Sequence, residues 1–270
     1  MNYLNYHGEM LFEGKIPLLV FENSEAAFKD MADRMVDAII ENNQAGKKTL
    51  FIVPVGPVGQ YKYFVERVNA ERISLKDVTF ISMDEYLDAD QNLIPESHPL
   101  SFRRIMKEKC YNLLSEDLIM PETQRLHPTP DNGKYLEEVI REHGGVDVCF
   151  GGIGINGHIA FNEPLEAREK LTEEEFTQLS FRIQKISRET KVINALNEFD
   201  GAYYLMPDYC VTIGIKQILE SKKVFLYCFR PWHRSVVRRA IFGEVTSAFP
   251  VTFLQKHPDA KIAITKDIQK

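Results

Sequence analysis

The stretch Gly151-Gly-Ile-Gly-Ile-Asn-Gly-His-Ile-Ala-Phe-Asn-Glu-Pro164 packs four glycines, a histidine and a glutamate into 14 residues. Glycine allows unusual backbone angles and close approach of a ligand. His158 can exchange protons near neutral pH, and Glu163 is near enough in sequence to orient it or shift its pKa. The alternative is a tight turn whose histidine is merely hydrogen-bonded. A second cluster, Ser82-Met-Asp-Glu-Tyr86, sets two carboxylates side by side. One could act as a base while the other anchors a loop, or both could cap a helix or end a strand.

The elements that must position these groups are legible around them. From Ser24, Phe28, Met31, Met35, Ile39 and Ile40 recur at spacings of three and four, and Gly46 follows, which predicts an amphipathic helix. Thr49 to Val55 is a short β-branched run suited to a strand buried on both faces. Tyr61, Phe64, Val65 and Val68 have helical spacing, and Val78 to Met83 is a second buried strand that breaks off at Asp84-Glu85. Further strands are expected at 146–150, 224–229 and 261–265, with room for a crossover helix before each. The alternation implies an α/β fold with a mostly parallel sheet between helices. No linker divides the chain, and the acidic run from Glu166 to Gln178 is helix-prone, so residues 1–270 are expected to form a single domain. Ligands of such sheets bind beyond the carboxyl ends of the strands, which directs attention to Gly56, Asp84 and Gly152.

Composition excludes other classes. With 33 basic and 39 acidic residues the net charge is −6, so the chain lacks the positive field that nucleic-acid binding usually needs. No apolar run approaches the ~18 residues of a membrane span, and the N-terminus lacks an export signal. Cys110, Cys149, Cys210 and Cys228 form no C-x-x-C pair and read as core thiols of a reducing, cytoplasmic setting. Neither a P-loop nor a dinucleotide fingerprint is present.

These residues resemble the glucosamine-6-phosphate deaminase (isomerase) family, in the superfamily shared with the 6-phosphogluconolactonases. The family's G-H-I-A-F-N-E-P motif is unaltered from Gly157 to Pro164, its M-D-E-Y motif stands at Met83 to Tyr86, and its P-E-S and S-F segments stand at Pro95 to Ser97 and Ser101-Phe102. Lactonases typically follow G-H with a different sequence, so the deaminase branch is favoured. The resemblance reaches from the first helix to Pro258. It implies a three-layer αβα, Rossmann-like fold, a homo-oligomer, a small sugar or sugar phosphate as partner, and no metal or organic cofactor. It also implies that Asp84 moves a proton between C2 and C1 of an opened amino sugar before ammonia is lost, and that His158 opens the ring, assisted by Glu163 and Asn156. Asn156 stands where relatives often have Asp. It can orient an imidazole but supplies no counter-charge. Gly56, Glu85 and Gly152 are expected against the substrate. A non-catalytic sugar-binding protein, or an isomerase or lactonase for another sugar, is the competing reading.

The phosphate subsite departs from the family. Its hydroxyl-bearing loop is replaced by Pro54-Val-Gly-Pro-Val-Gly59, which lacks both hydroxyls and, at Pro57, one N–H donor. The family's phosphate-binding Arg aligns with Leu196 and its Lys with His233. Arg230, His233 and Arg234 could rebuild an anion site from the other wall, or be ordinary surface residues of a basic helix. Tyr203, Tyr204, Trp232 and the remaining histidines read as packing or surface.

Overall fold

The structure, a computed structural model, describes residues 3–165 and 170–270. After two short 3-10 turns come β1 (Leu18–Phe21), α1 (Ser24–Gln44), β2 (Thr49–Val53), α2 (Gln60–Glu71), β3 (Val78–Ser82), β4 (Asp84–Leu87) and α3 (Phe102–Lys109). The middle of the chain supplies β5 (Arg125–Leu126), α4 (Gly133–Glu142), β6 (Val148–Gly151), α5 (Glu173–Thr177), β7 (Arg182–Lys185) and α6 (Arg188–Glu198). The last part carries β8 (Tyr209–Thr212), α7 (Ile215–Leu219), β9 (Lys223–Cys228), α8 (His233–Phe242), β10 (Ala260–Thr265) and α9 (Lys266–Gln269). Of the acidic run expected to be helical, Glu173 to Thr177 is α5, and residues 166–169 lie outside the described residues.

Seven strands form a sheet in the order β1-β10-β9-β6-β2-β3-β5, with every neighbouring pair parallel. The apolar runs alternate across it. Leu50 and Ile52 enter one core with Cys149, Leu226 and the α8 residues Val236 and Ile241, while Phe51 and Val53 enter the other with Phe150, Met31, Met35 and Phe64. Helices therefore cover both faces, and the fold is three-layer αβα as expected. Each fully buried side chain of this size contributes about 1.5 to 3 kcal/mol. All four cysteines are buried and free, and burial pushes their thiols up. Among the described residues, no helix is long and apolar enough to cross a membrane.

From β2 the chain proceeds to β3 and β5 on one side, then returns to β6 on the other side of β2. The loops after β2 and β6 diverge at this reversal, opening a crevice at the carboxyl ends of the strands. A second, three-stranded antiparallel sheet, β4-β8-β7, contributes Asp84 and Tyr86 of β4 to the lining of this crevice. Its short strands lie among polar and charged residues, so the apolar pattern does not announce them.

The buried strand breaks off before Asp84-Glu85 as expected, and the acidic pair itself begins a second strand. Met83 donates its N–H to Val53 O (3.0 Å) and accepts at its carbonyl from Ile213 N (2.8 Å). The chain passes from the main sheet into the second at this residue, and Asp84 begins β4.

Glu85 was expected against the substrate, and the structure assigns it elsewhere. Its fully buried carboxylate accepts from the backbone N–H groups of Phe102 (3.0 Å) and Arg103 (3.0 Å), from Arg103 Nε (3.1 Å) and from Ser101 Oγ (3.3 Å). The two backbone N–H groups are orphan donors of the first turn of α3, where a negative charge is favoured. Replacing Glu85 with Gln leaves the Arg103 guanidinium without its carboxylate. It should cost about 3 kcal/mol in urea unfolding. A loss below about 1 kcal/mol would show that the ion pair does not hold this helix.

Candidate active site

The carboxyl ends of four neighbouring strands and one face of α6 enclose a cavity. Asp84 reaches it just beyond β3, Gly56 from the loop after β2, Gly152 and His158 from the loop after β6, and Arg230 and His233 from the turn after β9. Asp84 and His158, 74 positions apart in the sequence, thus line one space. Glu163 and Asn156 stand behind the imidazole, outside the lining. Among the described residues, no three His, Cys, Asp or Glu side chains gather as a metal-binding group.

Asp84 is 7% exposed. Burial, with the neighbouring Glu85 charge adding to it, pushes its carboxyl well above the ordinary aspartate range. A carboxylate so destabilised is a stronger base than one in water.

The loop that carries His158 is shaped by glycine at two points. Gly157 has φ +84°, and a Cβ there would meet the Phe249 ring; a Cβ on Gly154 would run into the His158 ring itself. The imidazole therefore lies directly on bare backbone. Asn162 locks the far side of the loop by donating from Nδ2 to the carbonyls of Ile159 (3.0 Å) and Ile213 (3.1 Å).

The protonation pattern of the imidazole follows from a carboxylate that can only accept. Asn156 Nδ2 donates to Glu163 Oε2 (2.6 Å), so its Oδ1 must face His158 Nδ1 (2.7 Å). An amide oxygen cannot donate, so Nδ1 carries the hydrogen and Nε2 holds the lone pair. Thr190 Oγ1 (3.2 Å) and Glu163 Oε2 (3.5 Å) flank the same Nδ1, and Nε2 has no hydrogen-bond partner among the described residues. Glu163 thus provides the counter-charge that Asn156 lacks. Burial opposes its ionisation, yet the charge and hydrogen bond of His158 and the hydrogen bond from Asn156 outweigh it and hold the carboxyl at about 2.

Arg230, His233 and Arg234, expected to rebuild an anion site or to be ordinary surface residues, are placed in different surroundings. His233 is buried, with Nδ1 accepting from Arg230 N (3.0 Å) and Nε2 donating to Ile153 O (2.9 Å). Burial chiefly lowers its pKa to about 4, so near neutral pH it is uncharged, with both nitrogens spent on the backbone. Arg234 lies outside the cavity lining, and Leu196 is 60% exposed outside it as well. Arg230 alone of the three brings a positive charge to the lining.

Several residues were missed. Trp232, expected as packing or surface, lines the cavity with Phe229, its ring 3.8 Å from that of His233. A lone aromatic has no periodicity to betray it. Ser187 caps α6, accepting from Thr190 N (3.2 Å) and Asn156 Nδ2 (3.1 Å) and donating its own N–H to Glu163 Oε1 (3.2 Å). A serine directly ahead of a helical run was the available signal. Asn194 and Asn197, on the same helix, also line the cavity.

No protein-family model matches the chain. It is 32% identical over 211 residues to the glucosamine-6-phosphate deaminase of Cellvibrio japonicus, covering 77% of this chain and 74% of that one. With the enzyme of the same name from Mycoplasma mycoides it shares 28% identity over 255 residues, covering 93% and 95%. Among solved structures it resembles a monomeric glucosamine-6-phosphate deaminase, with a TM-score of 0.78 at 21% identity over 93% of this chain and 98% of that one.

The depressed Glu163 pKa has a consequence for stability. The folded value lies near 2 and the ordinary one at 4.5, so this carboxylate stabilises the fold fully above pH 4.5 and loses that contribution as pH falls toward 2. A shift of this size corresponds to about 3 kcal/mol. Urea unfolding of wild type and Glu163→Gln across this range should show the wild type losing that much more than the variant. Parallel curves would show that Glu163 is not held ionised.

Proposed function

Because this chain belongs to the glucosamine-6-phosphate deaminase family, we propose that it is an enzyme which isomerises an amino sugar from aldose to ketose and releases ammonia, with Asp84 as its base. The observation that carries the reading is the shared cavity of Asp84 and His158, one a buried carboxylate of raised basicity and the other an imidazole with its lone pair unengaged.

The steps follow from these groups. His158 Nε2 takes the anomeric hydroxyl proton of the cyclic sugar and returns it to the ring oxygen, which breaks the C1–O5 bond and leaves an open-chain aldehyde. The imidazolium formed in between is stabilised by Glu163 at 3.5 Å. Asp84 then removes the C2 proton, the electron pair forms the C1–C2 double bond, and the aldehyde oxygen takes a proton from the sugar's own 2-ammonium group, the proton that finally leaves with the ammonia as ammonium. The resulting enolamine takes the proton back from Asp84 at C1, leaving a C2 iminium. Water adds to C2 and ammonia departs, giving the ketose. No redox step and no external reductant or oxidant enters this balance.

The reading treats residues 1–270 as one domain, a homo-oligomer working in the cytoplasm on a small molecule. Light scattering checks its self-association.

Asp84→Asn keeps the shape of the base and loses its basicity. Solvent deuterium incorporation at C2 should fall by at least a thousandfold while sugar binding survives. Exchange at the wild-type rate would assign the base elsewhere, and binding without exchange in the wild type would leave a sugar-binding protein. Because Asp84 must be ionised to act and its pKa is raised, the acid limb of kcat/KM should lie above the ordinary aspartate range. His158→Gln should impair cyclic substrate more than an open-chain analogue. Equal loss on both would remove the ring-opening role.

A further inference from the structure

The cavity carries little charge with which to hold a phosphate. The turn after β9 stands three strand spacings from β3, about 14 Å, with β6 and β2 between them. Across this span the lining comes from Pro54, Val55 and Pro57 on one side and Phe229 and Trp232 on the other. Both prolines lack an N–H, and His233 is neutral with both nitrogens engaged. Among the described residues, Arg230 is the one arginine or lysine of the lining, and its Nη1 is already bound to Asn197 Oδ1 (2.6 Å). A phosphate dianion here would meet one guanidinium, neutral groups such as the amides of Asn194 and Asn197, and a largely apolar wall, leaving most of its charge uncompensated at a substantial desolvation cost. The same wall suits the C–H face of an unphosphorylated sugar. The indole of Trp232 is supported from behind by the His233 ring at 3.8 Å, and Arg230 and Asn194 can donate to hydroxyls.

We propose that the substrate is an unphosphorylated 2-amino-2-deoxyhexose whose C6 end lies against Trp232 and Phe229, with Trp232 as the residue that determines this specificity. The proposal rests on the reading of the site given above and names its substrate class.

The test uses two inert probes on the wild-type protein, 2-amino-2-deoxyglucitol and its 6-phosphate, which have no carbonyl and cannot isomerise. Calorimetry should find the neutral probe bound at least as tightly as the phosphate. Trp232→Ala should weaken the neutral probe about tenfold, and Trp232→Phe should recover most of that loss. Arg230→Ala should weaken both probes by similar factors. A phosphate probe bound more than tenfold tighter, with the preference lost in Arg230→Ala, would overturn the proposal in favour of a rebuilt anion site. Failure of the neutral probe to bind would overturn it too. Deuterium exchange into glucosamine and glucosamine 6-phosphate is read separately. Exchange with a phosphate preference preserves the chemistry and rejects the substrate class, whereas a bound neutral probe with no exchange in either sugar rejects the chemistry alone.

Discussion

The arrangement turns on one residue's backbone. Met83 gives its N–H to the main sheet and its carbonyl to the second sheet, so the strand that ends one sheet begins the other with no intervening loop. Asp84 is thereby fixed just beyond the carboxyl edge of the parallel sheet, buried as the first residue of the antiparallel one. Its raised pKa is a consequence of that placement, since a carboxylate on a free loop at the same edge would be solvated. The adjacent Glu85 points to the opposite face, as alternate residues of a strand must, and holds the start of α3. Two neighbouring carboxylates thus separate into one that lines the cavity and one that anchors a helix.

The histidine side of the cavity depends on the acceptor-only character of Glu163. A carboxylate forces the Asn156 amide to present its nitrogen, the amide oxygen then selects the hydrogen on His158 Nδ1, and the lone pair falls on Nε2. Had residue 156 been an aspartate, the same geometry would put a second negative charge beside Glu163. The amide instead transmits the orientation without that repulsion. Ser187, capping α6 and touching both Glu163 and Asn156, ties this relay to the helix that forms another wall of the cavity, so the relay and the cavity shape are parts of one hydrogen-bonded unit.

The opposite wall shows how a change of residue type alters a site without altering its fold. His233 occupies a lining position, yet burial and two backbone contacts convert it from a possible cation into a neutral brace for Trp232 and for the turn at Arg230. The prolines at 54 and 57 keep the loop after β2 in place while removing donors from it. The first effect lowers the positive charge that the cavity can offer, and the second lowers its hydrogen-bond donors.

The sequence alone determined the parallel sheet and its flanking helices, because buried strands must be apolar throughout and the helices must be apolar on one stripe. Phe51 and Met35 signal their places by spacing. It also marked Asp84, His158 and Glu163 as candidates, since residue types and the glycines around His158 are local properties, while Asn156 was marked by the family resemblance. Only the tertiary structure decided the antiparallel sheet, whose strands are short and polar enough to carry no period, and the division of labour between Asp84 and Glu85, which depends on strand direction. The state of His233 and the exposure of Trp232 to the cavity were likewise beyond any reading of spacing. Protonation and access are set by what surrounds a side chain in space, and those neighbours come from residues as far away as Ile153.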